Sequence, residues 1–127
     1  MSEHTVNDEG TVHTADLLRT GFSVRSQDSA GVVVLRLQGE LDMATVVDLR
    51  RAVAEELERK PSALALDLGE LSFIDSSGIG SLVGASRFAK ERGCTFTLRS
   101  PTRPVRKALH LTGVDQLMAI EDQTPPA

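Results

Sequence analysis

Two aliphatic runs, Val32 to Leu37 and Ala63 to Leu68, bracket a stretch whose apolar residues recur at a different spacing, and this contrast constrains the fold most. Each run is short and nearly continuous in apolar side chains, as expected of a buried strand. Between them, Val46, Leu49, Val53 and Leu57 fall at i, i+3, i+7 and i+11, which is one stripe along a helix. Asp48, Arg51, Glu55, Glu58 and Arg59 are left for the solvent side. Asp42, at the end of the second strand, is a candidate N-cap, and Pro61 stops the helix at about Lys60. A strand, an amphipathic helix and a second strand make a βαβ unit with a right-handed crossover.

The same alternation continues on both sides. Phe22 to Ser26 alternates apolar and polar, and a Ser29-Ala30-Gly31 turn joins it to Val32–Leu37 as a β-hairpin. A second helix is expected from Ser76 to about Arg92, broken by Gly93, followed by a strand at Thr95–Leu98. Pro104 opens a third helix that ends at Gly113, and Leu117–Ile120 adds an edge strand. The order is β-β-α-β-α-β-α with that final strand, an α/β chain. Its sheet is mixed, because the opening hairpin is antiparallel while the crossovers are parallel. Residues 1–20 read as a flexible arm, 21–120 as a single domain and 121–127 as a disordered tail.

Composition narrows the function classes. At 127 residues and 40% hydrophobic content the chain suits one core, built from aliphatic residues because it has four Phe and no Tyr or Trp. Base stacking on aromatic side chains has little to work with, and a net charge of −4 argues against binding the phosphate backbone of nucleic acids. The single Cys94 excludes an internal disulfide and a cysteine-built zinc site; it reads as a buried, inert thiol. The first ten residues lack the basic and apolar regions of a secretory signal, and no window approaches the ~20 apolar residues of a membrane span. The expectation is a cytoplasmic protein without membrane contact.

Chemistry concentrates between the third strand and the second helix, in Phe73-Ile74-Asp75-Ser76-Ser77-Gly78. An acid and two hydroxyls stand where a helix begins, and the first helical turn has unpartnered N–H groups and partial positive charge. Asp75 or a serine can cap the helix, and a phosphate added there meets favourable local electrostatics. Gly78-Ile79-Gly80 with Gly84 has the spacing G-x-G-x-x-x-G, unlike a dinucleotide fingerprint, and reads as small residues permitting close helix–sheet packing. His4, His13 and His110 are the only histidines, and no G-x-S-x-G elbow frames any serine, so nucleophilic catalysis is not expected. His110 reads as a helix-end residue. Arg99, Arg103, Arg106 and Lys107 form a small basic cluster, either solubilising surface or a contact for an acidic partner.

The segment Phe73-Ile74-Asp75-Ser76-Ser77-Gly78-Ile79-Gly80 resembles the signature of the STAS domain family of bacterial anti-sigma factor antagonists. Two further family elements stand in the same order and spacing: Gly39-Glu40-Leu41-Asp42 upstream and Leu111-Thr112-Gly113 near the end of the last helix. The resemblance spans about residues 22–120. It implies a STAS-like fold, a mixed four- to five-stranded sheet with amphipathic helices packed mainly on one face. It also implies that the unphosphorylated protein binds an anti-sigma factor, commonly a serine kinase, and so releases a sigma factor. Phosphorylation then switches binding off, and a PP2C-type phosphatase restores it.

The family's phosphorylated residue corresponds to Ser77, with the adjacent Ser76 as the alternative assignment. Asp42, Asp75, Ser76, Ser77 and Gly78 are the expected partner-binding residues, Asp42 doubling as a helix cap. The chain would be a substrate and a binding partner, with no catalytic residue, cofactor or metal of its own, and a monomer or weak dimer. The alternatives are a STAS scaffold subunit of a stress-signalling or lipid-transport complex and, from another class, a nucleotide-binding domain.

Overall fold

The computed structural model describes residues 21–122 together with the backbone of residues 6–7 and 10–11. The latter form a two-stranded antiparallel ribbon, β1 (Val6–Asn7) and β2 (Gly10–Thr11). The arm expected over residues 1–20 otherwise lies outside the described residues, as do the last five residues of the expected tail.

The domain follows the expected order. It comprises β3 (Ser23–Ser29), β4 (Val32–Leu41), α1 (Val46–Leu57), β5 (Ala63–Ile74), α2 (Ser76–Glu91), β6 (Thr95–Arg99), α3 (Arg103–Leu111), a 3-10 turn (Val114–Gln116) and β7 (Ala119–Glu121). Strands β3 to β7 form one five-stranded sheet in that spatial order, antiparallel between β3 and β4 and parallel elsewhere. The β3–β4 hairpin turns on Ala30 and Gly31, both at positive φ. Two such residues match the right-handed twist of the paired strands.

The sheet is one-sided. Val33, Leu35 and Leu37 of β4, Leu64, Leu66 and Leu68 of β5, and Phe96 and Leu98 of β6 are buried in one cluster with the apolar stripes of the helices. Alternate residues such as Arg36, Asp67 and Arg99 stand on the opposite face, where Arg36 and Asp67 form an ion pair at 3.4 Å. The predicted stripe Val46, Leu49, Val53 and Leu57 is wholly buried. Burying one such side chain contributes about 1.5–3 kcal/mol.

Several boundaries and one face differ from the sequence reading. Asp48, expected on the solvent side of the first helix, is buried and lies 3.7 Å from Arg51. It occupies the first turn, where the helix macrodipole favours an acid. Glu56 is also buried and accepts a 2.8 Å hydrogen bond from the Ser26 hydroxyl, tying α1 to β3. The third strand does not stop at Leu68 but runs to Ile74. Gly69-Glu70 interrupts the apolar run without ending the strand, because the ladder with β4 absorbs extra β5 residues at two register shifts. The last strand starts at Ala119 and takes in Glu121, the first residue assigned to the tail; Glu121 pairs with Arg99 at 3.2 Å.

Candidate functional site

The carboxyl ends of β4 and β5 lie side by side, with Leu41 opposite Ile74 in the ladder. The residues that follow them, Asp42 and Asp75, therefore open two neighbouring loops, each leading into a helix. Sites in open α/β sheets usually lie at these strand ends. The Asp75 N–H donates to the Leu41 carbonyl at 3.2 Å, so the two loops are joined by backbone as well as by register.

Asp75 is the N-cap of α2. Its backbone is extended, and its Oδ1 accepts from the Gly78 N–H at 2.9 Å while its carbonyl accepts from Ile79 at 2.9 Å. The N–H groups of Ser76 and Ser77 have no acceptor among the described residues. Nor does either serine hydroxyl make a hydrogen bond there, whereas the nearby Ser72 and Ser81 donate to the carbonyls of Gly39 and Gly78. Ser76 is exposed and Ser77 half-buried. What emerges is a helix start with two free donors, two free hydroxyls and one carboxylate already in place.

Asp42 closes a reciprocal cap four residues before the first residue of α1. Its Oδ1 accepts from the N–H groups of Ala44 and Thr45 at 3.0 and 3.1 Å, and its carbonyl accepts from Val46. In return the Thr45 hydroxyl accepts from the Asp42 N–H at 2.9 Å and donates to the Glu40 carbonyl at 2.9 Å. This is a capping box with threonine in the third position. Asp42 thus caps the turn that leads into α1, but the N-cap of α1 itself is Thr45, three residues later than the sequence reading placed it, and its side chain makes no capping bond to the helix.

Gly78 is packed against the first loop. A Cβ on it would lie 2.6 Å from Ile74 Cγ1 and 2.7 Å from the Leu41 carbonyl oxygen. The small-residue reading holds for this glycine alone. A Cβ on Gly80 or Gly84 would meet nothing within 4 Å, and both are exposed, so close helix–sheet packing does not explain them.

The sequence reading passed over three apolar residues here. Met43, Val47 and Phe73 flank the two loops and are 75%, 49% and 47% exposed. Their signal was present: Met43 and Val47 lie off the buried stripe of α1, and Phe73 precedes the cap by two residues. The third motif, Leu111-Thr112-Gly113, ends α3, with the Thr112 hydroxyl bonded to the Ala108 carbonyl at 2.8 Å and Gly113 at φ 78. The opposite end of α3 reaches β5, where the Thr102 hydroxyl donates to the Leu71 carbonyl at 2.8 Å. In the basic cluster, Arg99 pairs with Glu121 and Arg106 with Asp122. His110 lies 2.9 Å from Asp115, and no hydroxyl among the described residues is bonded to it. Among the described residues no group of three or more His, Cys, Asp or Glu side chains is placed to hold a metal ion, and no helix is long and apolar enough to cross a membrane.

Comparison with known proteins places this geometry. The family model described as STAS domain matches residues 23–126. The anti-sigma F factor antagonist of Paenibacillus polymyxa is 30% identical over 102 residues, covering 80% of this chain and 87% of that protein. Among solved structures, an anti-sigma factor antagonist from Mycobacterium paratuberculosis superposes with a TM-score of 0.73 at 27% identity, covering 82% of this chain and 87% of the other. SpoIIAA has been solved in two states: unphosphorylated, with a TM-score of 0.69 at 27% identity over 80% of this chain and 89% of its own, and phosphorylated, from Bacillus, with 0.63 at 26% identity over 80% and 92%. With a matching model across the whole described sheet and all three motifs at its strand and helix ends, the chain belongs to the STAS domain family.

Proposed function

We propose that the protein is an anti-sigma factor antagonist switched by phosphorylation of Ser77. In the unphosphorylated state the surface around Asp42, Asp75, Ser76, Ser77 and Gly78 docks on an anti-sigma factor with serine-kinase activity, and a sigma factor is released. The kinase then transfers the γ-phosphoryl of ATP to the Ser77 oxygen and the hydroxyl proton leaves. A PP2C-type phosphatase hydrolyses the ester and restores the binding form in the cytoplasm. The names of the relatives support the antagonist reading, and the existence of SpoIIAA in phosphorylated and unphosphorylated forms supports the switch.

The observation that carries the reading is the state of Ser77. Its hydroxyl is half-buried, free of hydrogen bonds within the described residues and set in the first turn of α2, among the exposed side chains of neighbouring loops. A phosphate adds about −1.5 to −2 charge. Within the domain the free N–H groups of Ser76 and Ser77 and the helix macrodipole receive that charge. A partner resting on Met43, Val47 and Phe73 would instead meet a hydrated dianion beside Asp75. Stability and affinity are thus separable, as a reversible switch requires.

The test is to purify the protein with its bound partner, add ATP and Mg²⁺, and follow intact mass and complex size together. Addition of one phosphate with dissociation of a kinase is the expected result. A stable complex with a transporter ATPase or a stress-signalling scaffold would replace this reading with the alternative.

A further inference from the structure

Starting about one turn beyond Ser77, at Gly80 and Ser81, a trough of about 370 Å³ lies between α1 and α2. The buried side chains of Leu49, Val53 and Ala85 line it at depth, and Phe88 lines it further along α2. Gly80 and Gly84 form its α2 wall, and a Cβ on either would meet nothing within 4 Å. Glycine is the weakest helix former after proline. Two of them in one helix, with no neighbour in the domain that needs them, keep the wall low enough for another backbone to approach.

The rim is basic. Arg50 lines the trough from α1, and the Arg92 guanidinium stacks over the Phe88 ring at 3.7 Å. Neither of these two has a carboxylate within 4 Å among the described residues, whereas Arg51, next to Arg50 on α1, does. Ser81, one turn after Ser77, lines the same trough, and Val47 lies one turn before Arg50. The trough therefore leads toward the Ser77 end of α2 along one face.

We propose that this trough docks the apolar ridge of an amphipathic helix whose flanks are acidic. Helix-in-groove recognition uses apolar anchors at i, i+3, i+4 and i+7. Here glutamate or aspartate beside those anchors would meet Arg50 and Arg92. The helix belongs to the anti-sigma partner, an attribution that rests on the proposed function; the preference of the trough does not. A phosphate on Ser77 would then sit at one end of the seated helix and repel its acidic flank.

The probe is a synthetic helical peptide with leucines at those spacings and glutamates elsewhere, titrated into the ¹⁵N-labelled full-length chain. A matched peptide with lysines replaces the charge. Saturable amide shifts are expected at Gly80, Ser81, Gly84 and Ala54, with the lysine peptide binding at least tenfold more weakly. Gly84→Leu fills open space, so it should keep or raise Tm while weakening the glutamate peptide at least tenfold. Arg50→Glu, at an exposed position with no ion-pair partner among the described residues, should narrow or reverse the preference between the peptides. Shifts mapping elsewhere, no saturable binding, or a folded Gly84→Leu protein that binds like wild type would overturn the proposal. None of these readouts needs an anti-sigma factor, so failure to form that complex would count against the proposed function alone.

Discussion

Gly78 and the Leu41 carbonyl are in such close contact that a methyl group on the glycine would sit 2.7 Å from the oxygen. The obstacle is backbone, held by its own bond to the Asp75 N–H, and cannot swing aside. Gly78→Ala should therefore destabilise the domain by about 1–3 kcal/mol, the usual cost of overpacking. Urea unfolding measures it. Gly80→Ala, in the same helix but facing open space, is the control and should be neutral or stabilising.

Asp75 is the cap that starts α2, through its bond to Gly78. Asp75→Ala should cost about 0.5–2 kcal/mol, with Asp75→Asn recovering most of it because the amide oxygen can accept the same N–H. Equilibrium unfolding of the three proteins decides this. Equal stability of the alanine and wild-type chains would show that the carboxylate serves recognition alone.

Ser77→Ala should fold as wild type and bind its partner, yet gain no phosphate from the kinase by intact mass. Ser76→Ala should still be modified. Ser77→Asp should keep its Tm within a few degrees, since the first turn of α2 accepts negative charge. Its partner affinity should fall about a hundredfold, equivalent to about 2.8 kcal/mol, by calorimetry. A collapse of Tm in Ser77→Asp would make the residue structural.

Cys94 gives a pH-dependent prediction. It is buried, and burial pushes its thiol above the ordinary value of 9.0. The unfolded chain therefore loses this proton first as pH rises, so the thiol's contribution to stability falls from about pH 9 upward. Comparing wild type with Cys94→Ala across that range isolates the slope. Native protein should react with a thiol reagent far more slowly than unfolded protein; equal rates would mean that the site opens freely.

Much of this architecture was legible because its signals are periodic. The stripe Val46, Leu49, Val53 and Leu57 is the buried face of α1, and the runs Val32–Leu37 and Ala63–Leu68 are the heart of two central strands. The cap Asp75 was readable from its side-chain chemistry, whereas the cap of α1 proved to be Thr45, with Asp42 capping the preceding turn. What stayed hidden depends on neighbours. The extension of β5 past Gly69-Glu70 follows from pairing with β4, which no local pattern encodes. The burial of Asp48 depends on how α1 is rotated on the sheet. Gly78, Gly80 and Gly84 look alike in sequence, and only the fold separates the one that is compressed from the two that face outward.

The two register shifts in β5 also fix a length. From Arg36 to Leu41 the fourth strand advances five residues while its partner advances seven, from Asp67 to Ile74. Those two surplus residues are what bring the ends level; losing one would draw the start of α2 down by about 3.3 Å and turn alternate side chains over. Insertions and deletions between Asp67 and Asp75 would uncouple the Ser77 hydroxyl from its neighbouring loop. The spacing of this segment is thus a ruler for the proposed switch, set by the number of residues that separate the sheet from the start of α2.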